Sequence, residues 1–318
     1  MIRTFVSLVS ICNMELPAKK SLGQHFLTSV HVLEQIISAA QIKKGERVLE
    51  IGPGTGILTR ALLDVGAKVL AVEKDDRALT VLKEKFAAEI VTEQLYLIHD
   101  DILELRKQEE EKILLGTRVQ SEDTNVGAAT KLPESGEEFS PLPVSFAVVA
   151  NIPYYITGAI LESFLEHEPR PDRMILLVQK EVAERIIAKS DKTNGKSEVG
   201  KESILSISVK AFGTPKMVAK VARGAFNPPP TVESAILSIE NISDEQFKQN
   251  NVAIPQFFRI LKAGFAHKRK FVKRNIEEVL SAEEKIKLEE AWKKLSLDEK
   301  VRAEDLPLEK WLLLTAYL

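Results

Sequence analysis

The sequence predicts an α/β fold: a mostly parallel, Rossmann-like sheet covered on both faces, with a small all-helical domain at the C-terminal end. Three observations carry this. Short apolar runs alternate with helical stretches from Arg47 to Gln179, and near-continuous apolar strands belong to parallel sheets buried on both sides. A glycine-rich turn, Gly52–Gly56, joins the first run to a helix. After Ile254 the pattern is helical to the end.

In order, Arg47–Ile51 is a strand, Ile57–Leu63 has helical periodicity, and Gly66 is placed for a helix C-cap. Lys68–Glu73 is the next strand, Asp76–Phe86 a helix, and Leu95–His99 a third strand ending in Asp100 and Asp101. Val144–Ala150 is a fourth strand that runs into Asn151-Ile152-Pro153-Tyr154, and Arg173–Gln179 is a fifth. Ile204–Phe212 and Ser234–Ile239 read as further strands, closing the sheet with at least one antiparallel pair. The polar stretch Ser243–Ala253 marks the expected boundary. Residues 19–250 then form the sheet domain, residues 251–318 the helical domain, and residues 1–18 an extension expected to be flexible.

The chain has 318 residues, 44% hydrophobic and 28% charged, which excludes a disordered, collagenous or disulfide-built protein. Cys12 is the single cysteine, so no internal bridge forms. No metal site and a reducing, cytoplasmic setting are expected. Met1–Cys12 is too thin for a signal peptide, no run approaches the roughly 20 apolar residues of a membrane span, and the true start stays open between Met1 and Met14. No membrane partner is expected. Arg106–Pro143 carries eight acidic and five basic residues, a net −3 in a chain of net −2, leaving +1 elsewhere. Polar and turn-rich, it reads as a mostly disordered insertion between strands, and Ser190–Glu202 as a mobile loop.

The glycine turn sits where a ligand is expected, because open α/β sheets bind at the carboxyl ends of their strands. A dinucleotide fingerprint would need a glycine at Ile57; this chain spaces its glycines as Gly-x-Gly-x-Gly. That pattern suits S-adenosylmethionine, which has no pyrophosphate, although a purely structural turn has the same spacing. Glu73, at the second strand end, is placed to accept from both ribose hydroxyls, or is a surface carboxylate beside Lys74. Asp101, with Asp100 as the fallback, is placed to accept from the cofactor's adenine amino group; one of the two is a helix cap.

Asn151-Ile152-Pro153-Tyr154 suits methylation of an exocyclic amine. Adenine N6 is a poor nucleophile because its lone pair is delocalised. Two acceptors, the Asn151 side-chain oxygen and the Ile152 carbonyl, can hold both N–H groups while Pro153 fixes the backbone and Tyr154 stacks on the base. The bland alternative is a strand-end turn.

Several segments resemble one family, the KsgA-type ribosomal RNA small-subunit adenine dimethyltransferases. They are Lys20–Leu27, Glu50–Gly54, Asn151–Tyr155, Val178–Arg185, Ala225–Ser234, Phe265–Lys270 with Arg274 and Asn275, and Arg302–Asp305. The ordered set spans nearly all of the chain from Lys19 onward. The resemblance implies a class I S-adenosylmethionine-dependent methyltransferase fold. It implies double methylation of two adjacent adenines near the 3′ end of 16S rRNA, in an immature 30S-type particle. A monomer is expected. Carried over, His25, Leu27, Gly52, Glu73, Asp101 and Asn151 contact the cofactor, and Asn151 also meets the target amine. Tyr154 and Phe226 sandwich the flipped base. His25 departs from the usual Asn of the family, the Arg106–Pro143 insertion is longer than usual, and Val199–Ser203 departs from the family's loop.

Arg259–Arg274 holds seven basic residues and no acidic one. Placed on one helix they could track a phosphate backbone, with Lys268, Arg269, Lys270 and Arg274 as RNA contacts. The alternative is a solvated helix face. Two other functions share the motifs: an Erm-type large-subunit rRNA methyltransferase, and a non-enzymatic assembly or transcription factor on the same fold. The intact Asn151–Tyr154 motif argues against the second, and the C-terminal segments against the first.

Overall fold

The computed structural model describes residues 16–19, 22–107, 145–188 and 201–318. The expected N-terminal extension (up to residue 15), the insertion from residue 108 to 144 and most of the Ser190–Glu202 loop lie outside the described residues.

Five parallel strands form most of the sheet: β2 (Arg47–Ile51), β3 (Lys68–Glu73), β4 (Leu95–His99), β5 (Ala147–Asn151) and β6 (Arg173–Gln179). β7 (Thr214–Val221) and β9 (Ser234–Glu240) complete the order β4-β3-β2-β5-β6-β9-β7, with β9 running against both neighbours. A separate two-stranded pair joins β1 (Phe26–Leu27) to β8 (Phe226–Asn227). On one face lie α1 (Val30–Ala40), α2 (Ile57–Asp64) and α3 (Asp76–Lys85), packed into one apolar cluster with β2 and β3. The other face buries α6 (Thr157–Glu166), α7 (Lys180–Ile187) and α8 (Ile204–Phe212), while α4 (Ala87–Val91) packs on β4 and α5 (Ile102–Lys107) on α6.

Local chemistry sets the element ends. α2 stops in a Schellman motif: Gly66 adopts φ +87°, its N–H donates to the Leu63 carbonyl, and the Ala67 N–H donates to the Leu62 carbonyl. Three sequence expectations are corrected. Ile204–Phe212 is the helix α8, started by a capping box between Ser203 and Ser206. Polar Ser206, Ser208 and Lys210 alternate with apolar Ile207, Val209 and Ala211, a period of two that reads as a strand, yet both serines are buried in the helix. The missing strand is β7, an edge strand carrying Pro215, outward Lys216 and Lys220, and a bulge between Met217 and Ala219. Those features blunt an edge and also disguise a strand. Arg106 belongs to α5, not to the insertion: buried over the Phe164 ring, it donates to the Ser163 and His167 carbonyls.

Toward the C-terminus, α9 (Glu245–Gln249) leads into α10 (Ile254–Gly264), α11 (Val272–Glu277), α12 (Ala282–Lys294) and α13 (Leu308–Tyr317). These helices share one apolar cluster with the sheet. Phe212 of α8 meets Phe247 of α9 at 4.9 Å, and Phe247 meets Phe257 of α10 edge-on at 5.2 Å. α10 and α13 touch at Gly264, where an added Cβ would lie 2.3 Å from the buried Trp311 ring. Gly264→Ala is therefore expected to lower stability by about 1–3 kcal/mol through overpacking. The denaturation midpoint in urea measures this; an unchanged midpoint would mean that Trp311 moves aside freely.

Candidate active site

The three glycines after β2 have different tasks. Gly52 (φ +66°) donates its N–H to the Val72 carbonyl at 2.9 Å, and a Cβ there would meet nothing within 4 Å. It borders open pocket space. At Gly56 (φ +76°) a Cβ would lie 2.6 Å from Phe86 and 2.8 Å from Leu82, so that glycine serves the packing of α2 against α3.

Glu73 is 5% exposed at the end of β3. Its Oε2 accepts from the Gly54 N–H at 3.0 Å and its Oε1 from the Asp75 N–H at 2.8 Å. Burial pushes its pKa up, against the pull of these two bonds. The helix cap between the two aspartates is Asp101, whose Oδ1 accepts from the Leu103 N–H at 2.9 Å while Oδ2 pairs with Lys74 at 2.7 Å. Asp100 accepts from the Asp101 N–H at 2.7 Å. Both line the same pocket.

Asn151 closes β5. Its Nδ2 donates to the His25 carbonyl at 3.0 Å, and since a carbonyl only accepts, this bond sets the amide orientation and leaves Oδ1 as the acceptor. His25 Nδ1 donates to the Pro228 carbonyl at 2.8 Å. The Tyr154 hydroxyl lies 2.6 Å from Ser234 Oγ, and its phenol pKa is raised by burial. The pocket brings together His25, Leu27, Gly52, Glu73, Asp101, Asn151 and Tyr154. It does not bring in Phe226. Leu27 and Phe226 are paired across β1 and β8, and Phe226 is only 4% exposed, inside the apolar cluster. The ring that faces Tyr154 is His25, at 5.9 Å and 22°.

Two carboxyl groups in and beside the pocket went unrecognised in the sequence. Glu50 lies on β2, 1% exposed, with both carboxyl oxygens lacking a hydrogen-bond partner. Asp75 caps α3 and gathers the Arg77 guanidinium (2.6 Å), Gln24 Nε2 (3.0 Å) and Lys19 Nζ (3.4 Å). It thereby ties the segment carrying His25 to the loop after β3. No short motif announces it, because its partners lie 51 and 56 residues away.

The basic segment is not one helix. α10 ends at Gly264, a turn follows, and α11 begins at Val272. Most of its charge is internally matched: Arg259 pairs with Glu284, Lys262 with Glu162 and Glu166, Lys270 with Glu278, and the buried Lys273 with Glu289 and Glu299. Among the described residues, Lys268, Arg269 and Arg274 have no carboxylate partner and are exposed.

A glycine turn after β2, carboxylates at the ends of β3 and β4 and an Asn-x-Pro-Tyr turn after β5, on this strand order, define a class I S-adenosylmethionine-dependent methyltransferase fold. The model of the ribosomal RNA adenine dimethylase family matches residues 16–318, and the chain belongs to that family. Relatives named ribosomal RNA small subunit methyltransferase A agree with it. The one from Dehalococcoides mccartyi is 36% identical over 93% of this chain and 87% of its own. The one from Thermosynechococcus vestitus is 36% identical over 95% and 97%. Among solved structures, a dimethyladenosine transferase from Plasmodium falciparum superposes with a TM-score of 0.66 at 26% identity, over 91% of this chain and 96% of that one. The 23S rRNA methyltransferase ErmE shares the fold, with a TM-score of 0.60 at 22% identity over 92% and 99%.

Asp75 gives a pH-dependent test. Its cationic neighbours, Arg77 first, hold its pKa well below the usual carboxylate range. A depressed pKa contributes stability that is full above the unfolded value of about 3.9 and is lost as pH falls. Asp75→Asn is expected to cost about 1.5–3 kcal/mol at pH 7, as for hydrogen bonds to a charged group, with the deficit shrinking below about pH 4. Thermal melts of both proteins from pH 3 to 7 read this directly; a deficit independent of pH would remove the charge from the explanation.

Proposed function

We propose that the protein methylates the N6 atoms of two adjacent adenines near the 3′ end of small-subunit rRNA, twice each, using S-adenosylmethionine, and that it acts as a monomer on an immature small-subunit particle. The observation that carries this is the Asn151 amide, turned by the His25 carbonyl so that Oδ1 is the acceptor left for an amine. The residues fit the cofactor. Gly52 leaves room that a Cβ would fill, Glu73 is held by two N–H groups with lone pairs to spare for ribose hydroxyls, and an unpartnered carboxyl sits between them on β2. Asp101 and Asp100 stand at the adenine end, and His25 and Leu27 form part of the wall.

The cofactor supplies a methyl group made electrophilic by its sulfonium. Asn151 Oδ1 and the Ile152 carbonyl accept the two N–H groups of the adenine amine and turn its lone pair toward that methyl. Tyr154, its hydroxyl held by Ser234, offers a fixed ring for the extruded base. No strong base is needed, since the amine sheds its proton to water after the new C–N bond has formed. The Erm-type reading has shared motifs and a shared fold behind it at 22% identity, whereas the relatives named for the small subunit are 36% identical over nearly their whole length.

Labelled methyl groups should enter small subunits lacking the modification and not large subunits; the reverse would favour the Erm-type reading. Asn151→Ala should cut the rate by at least about 100-fold, the scale of losing one positioned polar group, while cofactor affinity falls only modestly. Near-normal turnover would return the motif to a structural turn.

We assign RNA contact to the unpaired cations. Replacing Lys268, Arg269 and Arg274 together by Glu should weaken RNA binding and lower the log–log salt slope by roughly 0.7–0.9 for each phosphate that is no longer neutralised. Lys273→Met should instead lower the melting temperature, since its ammonium is spent on Glu289 and Glu299. A salt slope untouched by the triple change would assign this face to solvent.

A further inference from the structure

The turn after β5 carries two consecutive tyrosines, and the methyl-transfer scheme uses only the first. Both belong to the single 3₁₀ turn Tyr154–Ile156, which Pro153 precedes. At three residues per turn, neighbouring side chains point about 120° apart. The two rings therefore leave the backbone in different directions. Tyr154 turns inward and is fixed through its hydroxyl to the buried Ser234 of β9. Tyr155 turns outward: it lines the same pocket and is 67% exposed. Among the described Phe, Tyr and Trp side chains it is the one that stands exposed. Among the described residues its hydroxyl makes no hydrogen bond, no second ring meets it and no cation lies over it. The ring is nevertheless braced. Gly23, at φ +59°, backs one side of it, where an added Cβ would lie 3.2 Å from Cε1 and 3.3 Å from Cδ1. A ring held on one side and open on the other is a platform without an occupant.

We propose that Tyr155 is a second base-binding subsite: its open side stacks on the nucleobase next to the target adenine in the RNA chain, while that adenine lies in the pocket beside Tyr154. The inference rests on the reading of the pocket as the site of N6 methylation. Extruding an adenine strips its neighbour of a stacking partner. A braced aromatic ring at the pocket mouth replaces that partner with little further ordering. Because Tyr154 and Tyr155 are adjacent but diverge, one base cannot lie on both, whereas two consecutive bases can. One pocket with one stacking ring beside it thus matches a substrate with two adjacent adenines. Stacking tolerates every base, since each has a π-face, and it is strongest for purines. The contact carries no ionic part. Lys74, within electrostatic reach of Tyr155, is already paired with Asp101 at 2.7 Å. Its contribution is therefore insensitive to salt, unlike the phosphate contacts assigned to Lys268, Arg269 and Arg274.

The test is steady-state methylation, by the intact protein, of small subunits lacking the modification. Tyr155→Ala should raise KM for the subunit by roughly 5- to 150-fold, the range for losing one stacked base. Its kcat should change far less, because the contact exists in the ground state and the transition state alike. S-adenosylmethionine affinity, the melting temperature and the log–log salt slope of subunit binding should stay as in the unaltered protein. Tyr155→Phe and Tyr155→Trp should keep the low KM. Tyr155→Leu, which still covers Gly23 but has no π-face, should not, and it stands in for the Ala variant if that protein folds poorly. Subunits in which one adenine of the pair is replaced by uracil, the poorest stacker, locate the contact. Tyr155→Ala should cost several-fold less when uracil lies on the side that Tyr155 meets, and its full factor when uracil lies on the other side. An unchanged KM in Tyr155→Ala, a low KM in Tyr155→Leu, or an equal cost on all three subunits overturns the proposal while leaving the methylation site standing. So does a fall in S-adenosylmethionine affinity as large as the rise in KM, which would give the ring to the cofactor. Failure of the unaltered protein to methylate small subunits overturns the functional reading and the proposal together.

Discussion

The carboxylate of Glu73 accepts from the backbone N–H groups of Gly54 and Asp75, and the pocket is built outward from that clasp. The first bond sets the glycine turn after β2 against the end of β3. The second sets the loop in which Asp75 holds Gln24 and Lys19. That segment in turn presents the His25 carbonyl to Asn151 on β5. A single connected set of polar contacts therefore runs around the pocket from β2 to β5. Each link satisfies a group whose burial without a partner would be expensive. A cofactor site assembled this way is rigid before the ligand arrives, which suits a reaction whose main requirement is orientation.

Charge is distributed unevenly around that rim. Asp75 is surrounded by cations and stays ionised, whereas Glu73 and Glu50 lie in drier surroundings that resist ionisation. The contrast comes from environment alone, since all three are carboxylic acids on neighbouring strands and loops. It gives the firmest anion to the scaffold and leaves carboxyl groups with raised pKa lining the pocket.

The helical part shows the same economy. Its aromatic residues continue the core of the sheet through Phe212, Phe247 and Phe257. Within the basic stretch Arg259–Arg274, Arg259, Lys262, Lys270 and Lys273 are matched by glutamates. What remains unmatched in that stretch, among the described residues, is a short exposed turn and the start of α11, where Lys268, Arg269 and Arg274 sit. The buried Asn275 braces this turn by donating to the carbonyls of Gly264 and His267. Seven basic residues in sixteen thus reduce to a local positive edge, not a charged helix face.

The strands β2 to β6, the glycine turn and the Asn-x-Pro-Tyr turn were legible in the sequence by itself. Each is specified by local chemistry: apolar runs of strand length, glycines at positive φ, a proline that fixes the backbone. The pocket positions of Gly52, Glu73, Asp101 and Asn151 were legible too, because strand ends converge in a parallel sheet. Tertiary structure alone decided the rest. It turned Ile204–Phe212 into a helix although its polar and apolar residues alternate as in a strand, because the helix buries Ser206 and Ser208. It buried Phe226 through its pairing with β1 and put His25 opposite Tyr154 instead. It decided which of the basic residues are spent on glutamates, and which carboxyl groups have partners. Those outcomes depend on residues tens to a hundred positions apart meeting in space, and no local pattern encodes the distance between them.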